Sequence, residues 1–364
     1  MTRKSKHTQG FILPLTLWII AAMGFAAAVL SEWVSEAVLN AIAIQDKTQA
    51  ELSFANIRNE LIFILARRPK TNRGLEVGEF VSEPTGTSFQ DVMNADYTSD
   101  RLVTLDGRPH VMASNQRYAV RLQDGKGLLN INIATAEHLG RFFETIQPEG
   151  ENHSLLTDTL MDYRDEDDLT RLSGAEEADY VRRNLYPPAN GRLMSPWEAQ
   201  RIIGWTTSPE IWNMQFERPV MTTCGSSGFN PNTAPPEILA TLIDGLSISG
   251  ADRLVEQRKT MPFRNARNVG DAAGLILVNQ PFFFSFIPGR CIVVDLIDRE
   301  TNERIRFSLT LLPRQREQPW QIDYVLNIPK AYTGSLDQID PEVTFPSPEE
   351  IVGATGKAAV FTGL

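Results

Sequence analysis

Acidic side chains are concentrated in one short segment of the chain and are the first candidates for chemistry. Four aspartates lie within residues 162–168, and Glu176 follows eight residues later. Asp165, Asp167 and Glu176 fall on positions 1, 3 and 12 of a calcium-binding loop, which are ligand positions. This spacing predicts a calcium site in the segment 162–176, which we call the acidic loop.

The same segment departs from a calcium loop in three respects. Leu169 stands at position 5, Thr170 stands at position 6 in place of glycine, and Arg171 brings a positive charge close. The alternative is that the carboxylates cap helices and pair with Arg164, Arg171 and Arg182. The residues themselves leave both interpretations open.

Paired carboxylates also hydrolyse glycosidic bonds, which raises the hypothesis of an enzyme. The acids here are clustered as on a solvated face, and no second isolated carboxylate stands out in an aromatic-lined segment. We therefore expect no catalytic residues and a non-enzymatic protein.

Size and charge narrow the class of protein. The chain has 364 residues, of which 42% are hydrophobic, so it can bury a large core. Its formal charge of −10 argues against nucleic acid as a partner. A mean hydropathy of −0.21 excludes a protein with many membrane spans but leaves room for a single one.

One membrane span is predicted at the N-terminus. A basic leader precedes residues 11–30, which contain no charged residue and are long enough to cross a bilayer as a helix. A secretory signal cleaved near Ala26–Ala28 and an uncleaved signal anchor are the alternatives. Helical spacing of apolar residues continues without Gly or Pro from Phe25 to Arg68, so we predict one helix over residues 11–68.

The body of the chain contains an internal repeat. The segment Asn130–Leu139 matches Asn230–Leu239 at an offset of 100 residues, and each copy leads into a predicted helix. This match predicts two related helical units. Strand patterns lie outside them, at residues 102–105, 118–122, 220–223, 291–297 and 305–312.

The predicted fold class is α+β, with an all-α domain inserted into a strand-rich domain. The predicted boundaries are a leader at 1–10, the N-terminal helix at 11–68, a strand-rich domain at 69–133 and 286–312, the helical insertion at 134–285, and a partly disordered tail at 313–364 that is rich in Pro, Asp and Glu.

The leader resembles those of type IV pilins and type II secretion pseudopilins. The resemblance implies that a prepilin peptidase cuts after Gly10 and methylates the new amine of Phe11. Loss of three basic residues would lower the formal charge from −10 to −13. Leu15 stands at the fifth mature position, where pilins usually carry Glu.

The region 10–312 resembles the K subunit family of type II secretion minor pseudopilins. The resemblance implies a pilin-like α/β domain with an inserted helical domain, a single inner-membrane span, a periplasmic body, and calcium bound in the α/β domain. It also implies the minor pseudopilins I and J and the major pseudopilin filament as partners. The motifs that carry it, besides Gly10 and the first repeat copy, are 162–167, with Tyr163 where the family usually has Trp, then 174–176, Tyr180, 195–204 and the second repeat copy.

A tip position in the filament follows from two expectations. Leu15 lacks the carboxylate that would neutralise the amine of a subunit above it, and the large insertion would clash with a subunit stacked over it. We therefore expect a subunit that caps the pseudopilus, starts its assembly, and supports export of folded proteins across the outer membrane.

Residues 230–263 suggest an alternative. Their helix, turn and helix resemble the helix-hairpin-helix units of DNA-uptake receptors, so the inserted domain is expected to be SAM-like or helix-hairpin-helix-like. The turn contains Gly245 beside Asp244 instead of a Gly-x-Gly hairpin, which disfavours phosphate binding.

Cys224 and Cys291 are the two cysteines of the chain. In an oxidising periplasm a bridge across their 67-residue separation would contribute about 4 kcal/mol. Bridged and free thiols remain alternatives, because the sequence does not report the distance between their Cα atoms.

Overall fold

The computed structural model describes residues 12–78, 101–147, 152–224, 228–277, 283–315, 317–332 and 344–354. Two compact units divide the chain, Met1–Asn59 and Glu60–Leu364. Helix α1 (Ile12–Arg67) begins in the first unit and ends in the second. Pro14 lies in its first turn, where a missing amide is tolerated, and Pro69 follows its end.

Among the described helices, α1 is the one long and apolar enough to cross a membrane. Its first half is exposed along its whole length, including Leu15, Trp18 and Phe25. Its last turns, in the second unit, contain the buried residues Leu61 and Ile64. An apolar surface of this length needs a lipid or protein environment.

The described part of the second unit is a mixed α+β body, as the sequence predicts. Its strands are β1 (Lys70–Thr71), β2 (Gly74–Glu76), β3 (Leu102–Val103), β4 (Asp106–Met112), β5 (Tyr118–Asp124), β6 (Leu129–Asn130), β7 (Met221–Thr222), β8 (Cys291–Asp298), β9 (Arg304–Leu311), β10 (Trp320–Ile328) and β11 (Thr344–Phe345). Its further helices are α2 (Ala136–Ile146), α3 (His153–Arg164), α4 (Glu177–Arg182), α5 (Pro209–Glu217), α6 (Pro236–Leu242), α7 (Ile248–Thr260), α8 (Ala266–Ala273) and α9 (Pro348–Ala354).

The main sheet has the strand order β10-β9-β8-β5-β4-β11 and is antiparallel except for the β4–β11 pair. Strands β5 and β8 are neighbours in this sheet although residues 125–290 separate them in sequence. Strand β8 is buried at all eight positions, as expected for a central strand. The long connection between β5 and β8 contains helices α2 to α8 and forms the inserted helical domain.

The predicted tail at 313–364 is wrong in part. Residues Trp320–Ile328 form β10, the edge strand that pairs with β9 along its length, and Thr344–Phe345 add β11 at the other edge. The edge strand escaped prediction although apolar residues alternate along it, because the surrounding residues are rich in Pro, Asp and Glu and favoured a tail. Residues 333–343 and 355–364 of the predicted tail lie outside the described residues.

Candidate functional site

The predicted assembly residue, Leu15, lies in the first turn of α1. Gly10 and Phe11 lie outside the described residues, so cleavage there stays a prediction. Leu15 is half exposed on the helix, and the Thr16 hydroxyl donates to the Leu13 carbonyl at 2.9 Å. The helix therefore presents an uncharged, internally hydrogen-bonded surface at the predicted assembly position.

The acidic loop is organised around Arg171. The Arg171 guanidinium donates to Asp162 and, at 2.6 Å, to Asp165, and its backbone amide donates to Asp162 at 3.1 Å. The Asp162 side chain is fully buried, so the pair is shielded from water on one side. The cation in this loop is thus an arginine, as the pairing alternative expects.

Glu176 lies at the end of the acidic loop without a hydrogen-bond partner for either carboxylate oxygen. It is 6% exposed, and burial, together with the nearby charges of Asp162 and Asp165, raises its pKa to about 7. Its backbone amide donates to Asp179 at 3.2 Å at the start of α4. Glu176 is thus a buried carboxyl group that titrates near neutral pH.

The acidic loop as folded does not fit a calcium ion held by Asp165, Asp167 and Glu176. Among the described residues, one group of three metal-ligating side chains lies within 4.8 Å, and it consists of Cys224, Cys291 and Asp323. Arg171 neutralises Asp165 where a cation would be needed. Calcium binding elsewhere in the protein stays a prediction.

The two cysteines are joined to each other. Their Cα atoms are 6.2 Å apart, and Cys224 follows β7 while Cys291 begins β8. The bond connects the inserted helical domain with the main sheet. The Ser308 hydroxyl beside it donates to Asp323 at 2.8 Å.

The two copies of the repeat have matching geometry. In each copy the first asparagine, Asn130 or Asn230, accepts from the amide of the second at 3.0 Å. The second asparagine then holds a distant strand-like segment by two bonds. Asn132 pairs with the backbone of Leu193 at 2.8 and 2.9 Å, and Asn232 pairs with that of Phe263 at 2.8 Å in both directions. The repeat is therefore structural, because all these polar groups are occupied inside the domain.

In each copy an arginine donates to two carbonyls of the repeat segment. Aligning the two copies of the repeat did not reveal it. Arg164, at the end of α3, donates to the carbonyls of Ile131 and Ala134, and Arg258, in α7, donates to those of Pro231 and Ala234. The sequence signal that could have revealed this contact is an arginine in the second helix after each copy of the repeat. It lies outside the matched segments and has a different offset in the two copies.

The hairpin between α6 and α7 carries the DNA-binding alternative. Gly245 has a φ of +77°, which glycine adopts without strain, and Asp244 forms an ion pair with Arg141. A carboxylate at this turn repels phosphate, so the geometry gives the alternative no support.

The inserted domain is docked on the sheet by a buried charged group that sequence patterns did not reveal. Arg306 forms a two-pronged ion pair with Asp295 at 2.6 and 2.8 Å, and both side chains are buried. Arg304 and Arg306 also donate to the last carbonyls of α5, including that of Glu217 at 2.9 Å. The helix C-terminus is electronegative and favours these cations. We call Asp295, Arg304 and Arg306 the arginine clamp.

A second polar contact at the same junction is formed by Asp124, the last residue of β5. Its buried carboxylate accepts from Asn230 at 2.9 Å, Thr233 at 3.0 Å and the amide of Gly289 at 2.8 Å. Burial raises the pKa of Asp124, although these donors stabilise its charged form. The second repeat copy is thereby fixed to the sheet.

These features define a class: a membrane-anchored α/β subunit with a repeat-containing helical domain inserted between neighbouring strands. Family models described as type II secretion system protein K match residues 119–210 and 229–281. Both matches are to the same family, and they support a type II secretion system minor pseudopilin of the protein K type.

A solved structure and the curated proteins were also compared with the chain. The chain is similar to a chain of the GspK-GspI-GspJ complex from the enterotoxigenic Escherichia coli type 2 secretion system. The identity is 16%, the TM-score is 0.45, and the match covers 58% of this chain and 79% of that chain. No curated protein matches this chain.

Proposed function

We propose that this minor pseudopilin caps the tip of the type II secretion pseudopilus and starts its assembly. The observation that carries the proposal is the placement of helices α2 to α8 between two neighbouring strands of the main sheet. A filament repeats one small domain at close spacing, so a domain of this size on the sheet leaves no room for a subunit above. The tip is the position without such a neighbour.

The uncharged start of α1 supports the same position. Leu15 offers no carboxylate to neutralise the amine of a preceding subunit, and an unpaired charge in lipid is costly. The chain therefore has no electrostatic reason to enter beneath another subunit. It is anchored by α1 in the inner membrane, with its second unit in the periplasm.

The partners proposed for this chain are the minor pseudopilins I and J. Support comes from the matches to the protein K family models, and GspK of enterotoxigenic Escherichia coli is found in a complex with GspI and GspJ. Purification of the full chain from membranes should recover both partners with it. Recovery of the major pseudopilin alone would contradict a tip complex.

Immunogold labelling of overproduced pseudopili tests the tip position. Label at one end of each filament is expected, and label spread along the shaft would contradict it. Leu15→Glu supplies the missing carboxylate, and Leu17→Glu, which is also exposed but lies on a different face of α1, is its matched control. Because the inserted domain still leaves no room for a subunit above, label should stay at one end in both variants, and label within the shaft for Leu15→Glu would show that the carboxylate and not the domain sets the position.

Processing is an earlier test of the leader. Coexpression with a prepilin peptidase should shorten the chain by ten residues and expose Phe11. Gly10→Val should abolish the cut. Continued cleavage at the same bond would show that the leader belongs to another class.

A further inference from the structure

A cleft separates one face of the main sheet from the inserted helical domain, and the proposed tip function does not use it. Its volume is about 350 Å³, which lies in the range of ligand-binding sites. Residues from β4, β5 and β8 form its floor, and α7 together with the segments next to α5 and α6 forms its walls. Both sides belong to the second unit of the chain.

The cleft is positively charged although the chain has a formal charge of −10. It is lined by five cationic side chains and two aspartates, a difference of three positive charges. Ion pairs at the rim join Arg218 to Glu237 and Lys259 to Glu256, so the outer cations are partly neutralised. The positive charge that these rim ion pairs leave over lies further inside the cleft. The five cations are Arg108, Arg121, Arg218, Arg258 and Lys259, and the aspartates are Asp106 and Asp295.

Arg121 is a cation on the floor whose charge acts on Asp295 but whose Nε has no hydrogen-bond partner among the described residues. It lies opposite Asp295 in the pairing of β5 with β8, but the oxygens of Asp295 are bonded to Arg306. The Arg121 Nε is buried without a hydrogen-bond partner, and no hydrogen bond or ion pair joins its guanidinium to another described side chain. A buried donor without an acceptor is costly, and an incoming anion would satisfy it.

Arg258 adds a second buried donor. It is 7% exposed, and its Nη1 is used by the repeat carbonyls, but its Nε has no partner. The nearest carboxylate, Asp106, is 3.8 Å away and is shared with Arg108. Burial lowers the pKa of Arg258 to about 10, so it remains charged at neutral pH.

The apolar residues of the lining indicate which kind of molecule the anionic group belongs to. Pro109, Pro219, Pro235 and Pro236 line the cleft, with Val255 and Val293 beside them. Apolar side chains interspersed with cations fit the methylenes and backbone of an extended peptide better than a fully hydrated inorganic ion. We propose that this cleft binds a carboxylate side chain on an acidic peptide segment of a partner protein, with Arg121 as the principal donor.

Fluorescence anisotropy of a labelled short poly-aspartate peptide tests the proposal on the full chain in detergent micelles. Binding is expected, should weaken as ionic strength rises to about 0.15 M, and should be absent for a matched poly-asparagine peptide. Arg121→Gln should weaken binding by about 10–100-fold, the value of a charge-assisted hydrogen bond. Arg183→Gln, the same change on the exposed side of the helical domain, should leave binding unchanged.

Two further measurements keep the result decisive. A thermal unfolding scan establishes that Arg121→Gln is folded. If it is not, Lys259→Gln at the cleft rim, which should weaken binding about 2–5-fold, takes its place. Equal binding by the wild type and a folded Arg121→Gln would overturn the proposal. In another outcome, inorganic phosphate displaces the labelled peptide at the same concentration as unlabelled poly-aspartate peptide does. That result would also overturn the proposal, because the site would then hold a small inorganic anion.

Discussion

The arginine clamp permits a prediction whose size can be worked out from the contacts. Arg306→Met keeps an unbranched side chain of similar length but removes both bonds to Asp295 and the bonds to the end of α5. Asp295 would then be a buried carboxylate whose nearest cation is Arg304 at 3.8 Å. Removal of one partner from a buried ion pair costs about 3–5 kcal/mol, so we expect a loss of that size in the free energy of unfolding.

Urea denaturation of the full chain in micelles, followed by near-UV circular dichroism, measures that loss. The matched control is Arg182→Met, because Arg182 forms an exposed ion pair with Asp179. The control should cost less than about 1 kcal/mol. The double variant Arg306→Met with Asp295→Leu removes both charges, and it should recover about 1–3 kcal/mol of the loss. Equal losses of stability for Arg306→Met and Arg182→Met would refute the reasoning. A double variant that is no more stable than Arg306→Met alone would refute it as well.

The ion pair between Arg306 and Asp295 also makes the free energy of unfolding depend on pH. Burial by itself would raise the pKa of Asp295, but the charge and hydrogen bonds of Arg306 outweigh burial and hold that pKa below its usual range. A lowered folded-state pKa contributes stability above the unfolded value of about 3.9 and loses it as pH falls through the folded value. The wild type should therefore lose stability on acidification below about pH 4, and Arg306→Met should lose less.

Three further predictions concern the disulfide and the acidic loop. Denatured, unreduced protein should show no reactive thiol, and Cys224→Ser with Cys291→Ser should lower the free energy of unfolding by about 4 kcal/mol in urea. Gly174→Ala should destabilise by about 1–3 kcal/mol, because its Cβ would collide with the buried Asp162 carboxylate; the thermal midpoint measures this. The pKa of Glu176, about 7, lies above its unfolded value of about 4.3, so its contribution is full below about pH 4.3 and is lost as pH rises through about 7. Glu176→Gln should abolish that loss in urea titrations at acidic and alkaline pH, and an unchanged pH dependence would count against the assignment.

The regular elements were predictable because each has its own periodic signal. Uninterrupted apolar spacing predicted α1, and a run of apolar residues predicted β8, whose eight positions are all buried. The repeat was also visible, since two asparagines at fixed spacing perform the same task in both copies. Edge strand β10 has such a signal too, an alternation with apolar residues at 320, 322, 324, 326 and 328, but it lies in a segment whose Pro, Asp and Glu content favoured a tail.

The contacts that join the elements could not be predicted in the same way. Arg304 and Arg306 alternate in a strand with apolar residues, which shows that charges face one side of the sheet but not what they meet. Their partners at the end of α5 are about 90 residues earlier in the chain. The cleft likewise depends on Arg121 of β5 and Arg258 of α7 lining the same space, which only the completed fold provides. In the acidic loop, likewise, the calcium-like spacing does not show that Arg171 pairs with Asp162 and Asp165.

Three chemically different contacts fix the inserted domain to the sheet. The arginine clamp is ionic, Asp124 accepts several hydrogen bonds, and the Cys224–Cys291 bond is covalent. Loss of any one leaves the other two, so the domain should keep its orientation under a single perturbation of salt, pH or redox state. A fixed orientation matters for both proposals: a tip subunit must present the same outer surface to its partners, and the cleft exists only while the helical domain stays at its present distance from the sheet. Because the other two contacts hold the domain, Arg306→Met should act on the cleft through charge alone: it frees Asp295, which lines the cleft opposite Arg121, to pair with that cation, and binding of the acidic peptide should weaken.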